Sequence, residues 1–286
     1  MSSFLAATTL EEALDAVARG FRPIAGGTDL VVQARAGKTR LPDHLVAIHR
    51  IAKLQGVTHT AEGGLRLGSM TTHAAVLADT TVHARFTALA DACAIVGSHA
   101  TRAQGTIGGN LMNASPAMET GGPLVCLGAS IALASAGRTR SLLLEELWEG
   151  PGQTVATPDE LLVAIELPPP TASTGSAYQR LEYRRQMEIA VVGVTAVVTI
   201  ENQTITAARV AMTALAPTVR RVTDAETALV GTPGDARAIA AAAVAVESAA
   251  RPISDVRGSA DYRRAMAAVI AERVVATALG RAKETP

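Results

Sequence analysis

Two short segments of this chain carry the residue types that hold phosphate: Ala25-Gly26-Gly27-Thr28-Asp29 and Thr106-Ile107-Gly108-Gly109-Asn110. Paired glycines after an apolar stretch put no Cβ in the way, so successive backbone N–H groups can turn into one concavity and meet anionic oxygens. Each segment adds a hydroxyl and a polar side chain, Thr28 with Asp29 and Thr106 with Asn110. One such turn is ordinary loop geometry, whereas two suit the paired phosphates of a dinucleotide.

Other chemistries fail on spacing. No G-x-G-x-x-G occurs, so a Rossmann site has no fingerprint. Gly37-Lys38-Thr39 ends like a P-loop, but Val32 stands where the upstream glycine is required, which leaves Lys38 as a surface charge. The histidines (His44, His49, His59, His73, His83, His99) form no H-E-x-x-H, and no metal site is expected. Without a G-x-S-x-G elbow there is no organised nucleophile, and no catalytic residue is assigned. Cys93 and Cys126 lie too far apart for C-x-x-C, so this chain cannot build an iron–sulfur cluster and both read as buried thiols. Arg180 with Tyr183-Arg184-Arg185 forms a basic cluster, open to three readings: surface charge, pairing with Glu182 and Glu188, or proximity to an anionic cofactor.

A length of 286 residues suggests about two domains, and 48% apolar against 18% charged residues can fill a large core. Twenty-six basic residues balance 26 acidic ones, and aromatics make up 2%, so neither attraction for a polyanion nor stacking platforms for bases are present. Apolar runs fall short of the ~20 residues of a membrane span, and Met1 to Leu14 lacks a signal-peptide pattern, so a cytoplasmic location is expected.

The periodicity predicts a capped helix over 10–19, from Thr9 and Glu12, and a strand over 21–25. Strands follow over 42–48 and 65–67, and helical stretches over 72–94 break near Asp79-Thr80. Residues 105–113 read as a glycine-rich loop before a helix near Pro123; 130–134 and 138–144 form a hairpin, and 161–167 a strand. Pro168-Pro169-Pro170 and the Thr-Ala-Ser-Thr-Gly after it read as a linker over 168–175. Beyond it lie strand runs over 190–200 and 204–215, then helices near 222–230, 235–250 and 260–279.

The two glycine segments resemble the pyrophosphate-binding loops of the FAD-binding medium subunits of molybdenum hydroxylases, the xanthine dehydrogenase and carbon-monoxide dehydrogenase group. Met70-Thr71-Thr72-His73, Asn113-Ala114-Ser115-Pro116, Asp159-Glu160-Leu161-Leu162, Arg184-Arg185 before Ile189, and Arg257 to Arg264 agree with that family in order, over almost the whole chain. The resemblance implies an α+β protein: a two-lobed FAD-binding domain of the PCMH type over 1–170 (lobes about 1–55 and 56–170), then a C-terminal domain over 176–286 with a three-stranded antiparallel sheet and helices. It implies FAD held by Ile24, Ala25, Gly26, Gly27, Thr28, Asp29 and Leu30, by Thr106, Gly109 and Asn110, and by Ser115, Glu119, Leu162 and Arg180. Glu119 departs from the family's usual Asp, and Ile189 stands where some members place an aromatic over the flavin ring. Related folds that attach FAD covalently use a His in the first loop, and Thr28 in its place implies a non-covalent flavin.

The implied activity is that of an oxidoreductase subunit relaying electrons from a small 2Fe-2S subunit to an external acceptor. Substrate would be oxidised on a large molybdopterin subunit, in a dimer of heterotrimers. A flavin-free assembly protein and a self-sufficient flavin oxidase are the competing readings; failure of FAD to bind marks the first, and substrate turnover by the chain alone marks the second.

Overall fold

The computed structural model describes residues 2–284. The N-terminal lobe holds β1 (Ser3–Ala6), α1 (Leu10–Ala18), β2 (Arg22–Ile24), α2 (Leu30–Arg35) and β3 (His44–Ala47), with a parallel sheet in the order β1-β3-β2. Thr9 caps α1 as expected: its hydroxyl accepts from the Glu12 backbone, and the Glu12 carboxylate accepts in return from the Thr9 backbone.

The second lobe contains β4 (Val57–His59), β5 (Leu65–Gly68), α3 (His73–Ala78), α4 (Thr80–Arg85), α5 (Thr87–Ile95), α6 (His99–Gln104), α7 (Ile107–Met112), α8 (Gly121–Cys126), β6 (Ser130–Ser135), β7 (Arg138–Leu143), β8 (Trp148–Gly150), β9 (Gln153–Thr154) and β10 (Leu161–Leu167). Its antiparallel sheet runs β4-β5-β10-β6-β7. The expected break between α3 and α4 is there because Asp79 ends one helix and caps the next, accepting from the N–H groups of Thr81 and Val82. Cys93 and Cys126 are free and buried, and burial pushes both thiols far above the ordinary cysteine range.

The C-terminal lobe is β11 (Thr174–Leu181), β12 (Val192–Glu201), β13 (Thr204–Thr213), the two-residue β14 (Arg220–Arg221), α9 (Thr223–Leu229), α10 (Ala236–Ala249) and α11 (Ala260–Glu284). The sheet is antiparallel, β11-β12-β13-β14, with α10 and α11 contributing Ala242, Val246, Ala271 and Val274 to its core. Gly280 lies on the exposed side of α11 with open space where a Cβ would stand. Gly280→Ala is therefore expected to stabilise by about 0.5–1 kcal/mol, read as a raised urea midpoint.

Two expectations are corrected. Residues 174–181 are a strand, so the 168–175 linker shortens to the irregular stretch 168–173. The small Thr, Ser and Gly residues that look flexible in sequence pair along β12 from Thr174↔Thr199 to Leu181↔Val192, and Gly175 lets α11 approach: a Cβ there would meet the Ala278 carbonyl oxygen at 2.1 Å. Residues 105–113 are not a loop. Thr106 caps α7, accepting from the Gly109 N–H at 3.0 Å, so Gly108 and Gly109 lie in a helical first turn.

Candidate flavin site

The first glycine segment follows β2 and ends at α2. Gly27 has φ +69°, a left-handed conformation in which a side chain is strained. Among the described residues, the backbone N–H groups of Gly26, Gly27, Thr28 and Asp29 donate no hydrogen bond, which leaves four consecutive donors for a ligand. Asp29 stands exposed at the head of α2 without capping it, and desolvation raises its carboxyl above the usual range.

The second segment packs directly against the first. A Cβ on Gly26 would meet the Gln104 carbonyl oxygen at 1.9 Å; one on Gly105 would touch Thr28 Oγ1 at 3.4 Å; one on Gly109 would lie 3.7 Å from the Ala25 Cβ. The glycine that looked reserved for phosphate thus has a different first duty: Gly26 makes room for the chain itself. Gly108 does the same against the Ser69 carbonyl oxygen, at 2.5 Å.

The Met70–His73 segment seats α7. The Ile107 N–H donates to Thr71 O at 2.9 Å, the His73 N–H to Gly105 O at 3.1 Å, and Thr72 bridges Thr106. His73 is buried beside Cys93, with its Nδ1 3.7 Å from the thiol sulfur, and burial together with Arg102 lowers it to about 4, so it is neutral at pH 7. At the other end of α7, the Trp148 indole N–H donates to Leu111 O at 2.9 Å. The Thr120 hydroxyl donates to Asn110 Oδ1 at 2.6 Å, which fixes that amide. The Ser115 hydroxyl accepts from the Ala117 N–H at 3.3 Å in the turn before Glu119. His73, Trp148 and Thr120 support the site although spacing assigned them no such part. Their contacts span up to 37 residues, beyond any local pattern.

Glu119 and Arg180 meet where α8 lies against the C-terminal sheet. Arg180 is 1% exposed; its Nη1 donates to Glu119 Oε1 at 2.5 Å and to Glu188 O at 3.1 Å, while its Nε donates to Glu182 at 2.7 Å. Burial pushes Glu119 up to about 7, against the opposing pull of Arg180, and the charge of Asp29 adds to the rise. Of the three readings of the basic cluster, pairing holds for Arg180 with Glu182 and for Arg184 with Glu188 at 3.4 Å. Arg185 stays exposed.

Leu162 is 5% exposed and packs in the core of the second lobe, beside a bulge in β10 that sends Val163 to the N-terminal core. The strand's entry is clamped by Glu160, which accepts from Arg140 at 2.7 and 2.8 Å and from the Thr157 N–H at 2.9 Å. Hydrogen bonding from Arg140 lowers Glu160 to about 2. A folded-state value below the unfolded one means stability that is present above pH ~4.5 and lost as pH falls toward 2. The urea midpoint is expected to drop over that window in the wild type and to drop less in Glu160→Gln, whose neutral side chain has no such proton linkage.

No cluster of potential metal ligands occurs among the described residues, and no helix there is long and apolar enough to cross a membrane.

The free amides of 26–29 lie against the start of α7, and Glu119, next to the Thr120 that holds Asn110, feels the charge of Asp29. Compared with known families, residues 1–170 match the FAD-binding domain in molybdopterin dehydrogenase and residues 176–278 match the CO dehydrogenase flavoprotein C-terminal domain. The chain belongs to this flavoprotein family. It is 33% identical to the carbon monoxide dehydrogenase medium chain of Afipia carboxidovorans, over 92% of this chain and 90% of that one. It is 28% identical to the xanthine dehydrogenase FAD-binding subunit of Escherichia coli O157:H7, over 98% and 97%. Among solved structures, carbon monoxide dehydrogenase from Hydrogenophaga pseudoflava superposes with a TM-score of 0.94 at 28% identity, over 98% of each chain. Quinoline 2-oxidoreductase from Pseudomonas putida 86 gives 0.90 at 29%, over 99% and 98%. The family is one of oxidoreductase subunits whose cofactor is FAD. The α+β fold expected from the resemblance is the fold found, with β14 added to the three-stranded sheet.

Proposed function

We propose that this chain is the electron-relay flavoprotein of a molybdenum hydroxylase complex. It receives electrons from a partner 2Fe-2S subunit and passes them to an external acceptor, while substrate is oxidised on a large molybdopterin subunit. The observation that carries this reading is the run of four unpaired backbone N–H groups at 26–29 facing the start of α7, a donor set suited to a diphosphate.

When bound, FAD supplies the redox chemistry; the chain binds, orients and screens it. Ile24 to Leu30 offer their backbone to the pyrophosphate, with Thr106 holding the first turn of α7 so that Gly109 and Asn110 face the same space. Ser115 and Glu119 would contact the cofactor, Glu119 at a ribose hydroxyl, and Leu162 and Arg180 would approach the ring. With Thr28 in the loop, attachment is non-covalent. The FAD-binding unit spans 1–170, in lobes of about 1–55 and 56–170, followed by a C-terminal unit over 176–286. The complex is a cytoplasmic dimer of heterotrimers.

Purified chain is expected to show flavin absorbance, and acid precipitation is expected to release FAD into the supernatant. A chain that stays colourless after incubation with FAD would sink the reading and favour the assembly protein. Co-purification from its source with an iron–sulfur and a molybdenum subunit tests the partners, and isolation as a lone monomer would count against them.

A further inference from the structure

Glu119, Arg180 and Glu182 place two carboxylates around one buried guanidinium, a formal charge of −1. The charge is unevenly solvated: Glu182 is 25% exposed, whereas Glu119 is 9% and Arg180 1% exposed. Glu119 also feels Asp29, so its carboxylate shares a field with the glycine segment where the diphosphate is placed. Placing further negative charge beside this group favours its protonated form, because buried surroundings screen poorly.

We propose that Glu119 is a redox-linked proton acceptor: when two electrons are placed on the flavin, its carboxylate takes one proton from solvent, and it returns that proton when the flavin is reoxidised. The electrons come from the reduced iron–sulfur partner, or from dithionite in vitro, and the proton on Glu119 is additional to any that the flavin itself binds. The charge around the flavin then stays nearly constant through the cycle.

The neighbouring groups leave Glu119 as the one poised near neutrality. Tyr178 and Arg180 on β11 and Cys93 on α5 face it: burial holds the phenol and the thiol far above neutral pH in their protonated forms, and Arg180 stays charged. Glu182 lies beyond Arg180, and Asp29, whose own carboxyl desolvation raises, stands on the first glycine segment and adds its charge to the field at Glu119. Burial sets Glu119 itself to about 7 in the structure without added electrons, within reach of a modest further rise.

The inference rests on the proposed function, under which the flavin ring would approach Arg180. The two separate at the first step: wild-type protein holding no FAD overturns that function before any potential is read. With flavin bound, anaerobic spectroelectrochemical titration of the FAD-loaded full chain from pH 6 to 9 is compared between wild type and Glu119→Gln. Above about pH 7, where the oxidised protein holds Glu119 as a carboxylate, the wild-type potential is expected to fall more steeply with pH, by about 30 mV per unit, the tenfold-per-proton change of a two-electron couple. Parallel slopes at equal flavin content overturn the proposal. Should Glu119→Gln lose its flavin, proton uptake is measured on wild type alone, by dithionite reduction at pH 7.5 in weak buffer. About one proton per flavin beyond free FAD is expected, and uptake equal to that of free FAD overturns it.

Discussion

Gly26→Ala is expected to cost at least tenfold in FAD affinity, about 1.4 kcal/mol or more, although alanine adds a single methyl group. The methyl would lie 1.9 Å from the Gln104 carbonyl oxygen, a backbone atom that yields only if the two glycine segments part. Parting them displaces the α7 start from the four free amides, so the donor set no longer converges. Gly27→Ala provides the contrast. Its Cβ would make ordinary 3.4 Å contacts with the ends of Ile24 and Val31, and the cost is the left-handed φ of +69°, about 1–2 kcal/mol of stability. Equilibrium dialysis of FAD with thermal melts of both variants makes the test. Equal flavin affinity in Gly26→Ala and wild type would refute the close-approach argument.

Arg180→Ala is expected to have the largest effect on stability, a loss of about 3–5 kcal/mol, because it strands Glu119 as a buried charge without its counter-ion. The pH dependence has a definite sign. Glu119 has a folded-state value near 7, above the unfolded 4.5, so its contribution is most favourable below pH ~4.5 and is lost as pH rises through about 7. Removing Arg180 takes away the influence that holds this value down. The variant is then expected to recover part of its stability as pH falls from 8 to 5, when Glu119 protonates. Combining Arg180→Met with Glu119→Gln is expected to restore more than half the loss, since no buried charge is then unpaired. Urea midpoints of wild type and the two variants across pH 5–8 decide it, and a pH-independent loss in Arg180→Ala would contradict the assignment.

Both effects sit at positions where sequence and structure answer different questions. Residues that act within one turn were legible. Thr9 and Glu12 cap α1, and Asp79 divides α3 from α4. These follow from side chain to backbone bonds a few residues apart, which any chain with those types at that spacing can make. The glycine pairs stood out for the same reason, since an absent Cβ is a property of the residue alone.

Tertiary structure decided what each missing side chain leaves space for. Gly26 faces Gln104 and Gly108 faces Ser69, separations of tens of residues that no local pattern encodes. It likewise turned a glycine-rich stretch into the capped start of α7, held by Thr71, Trp148 and Thr120. It also drew Arg180 out of an apparent surface run of arginines to meet Glu119, 61 residues earlier in the chain. Residue types and short spacings set where the backbone turns and where it is free to bind. Which charges are buried together, and so which protons are held, depends on packing between distant segments, because desolvation is a property of the folded surroundings and not of the residue.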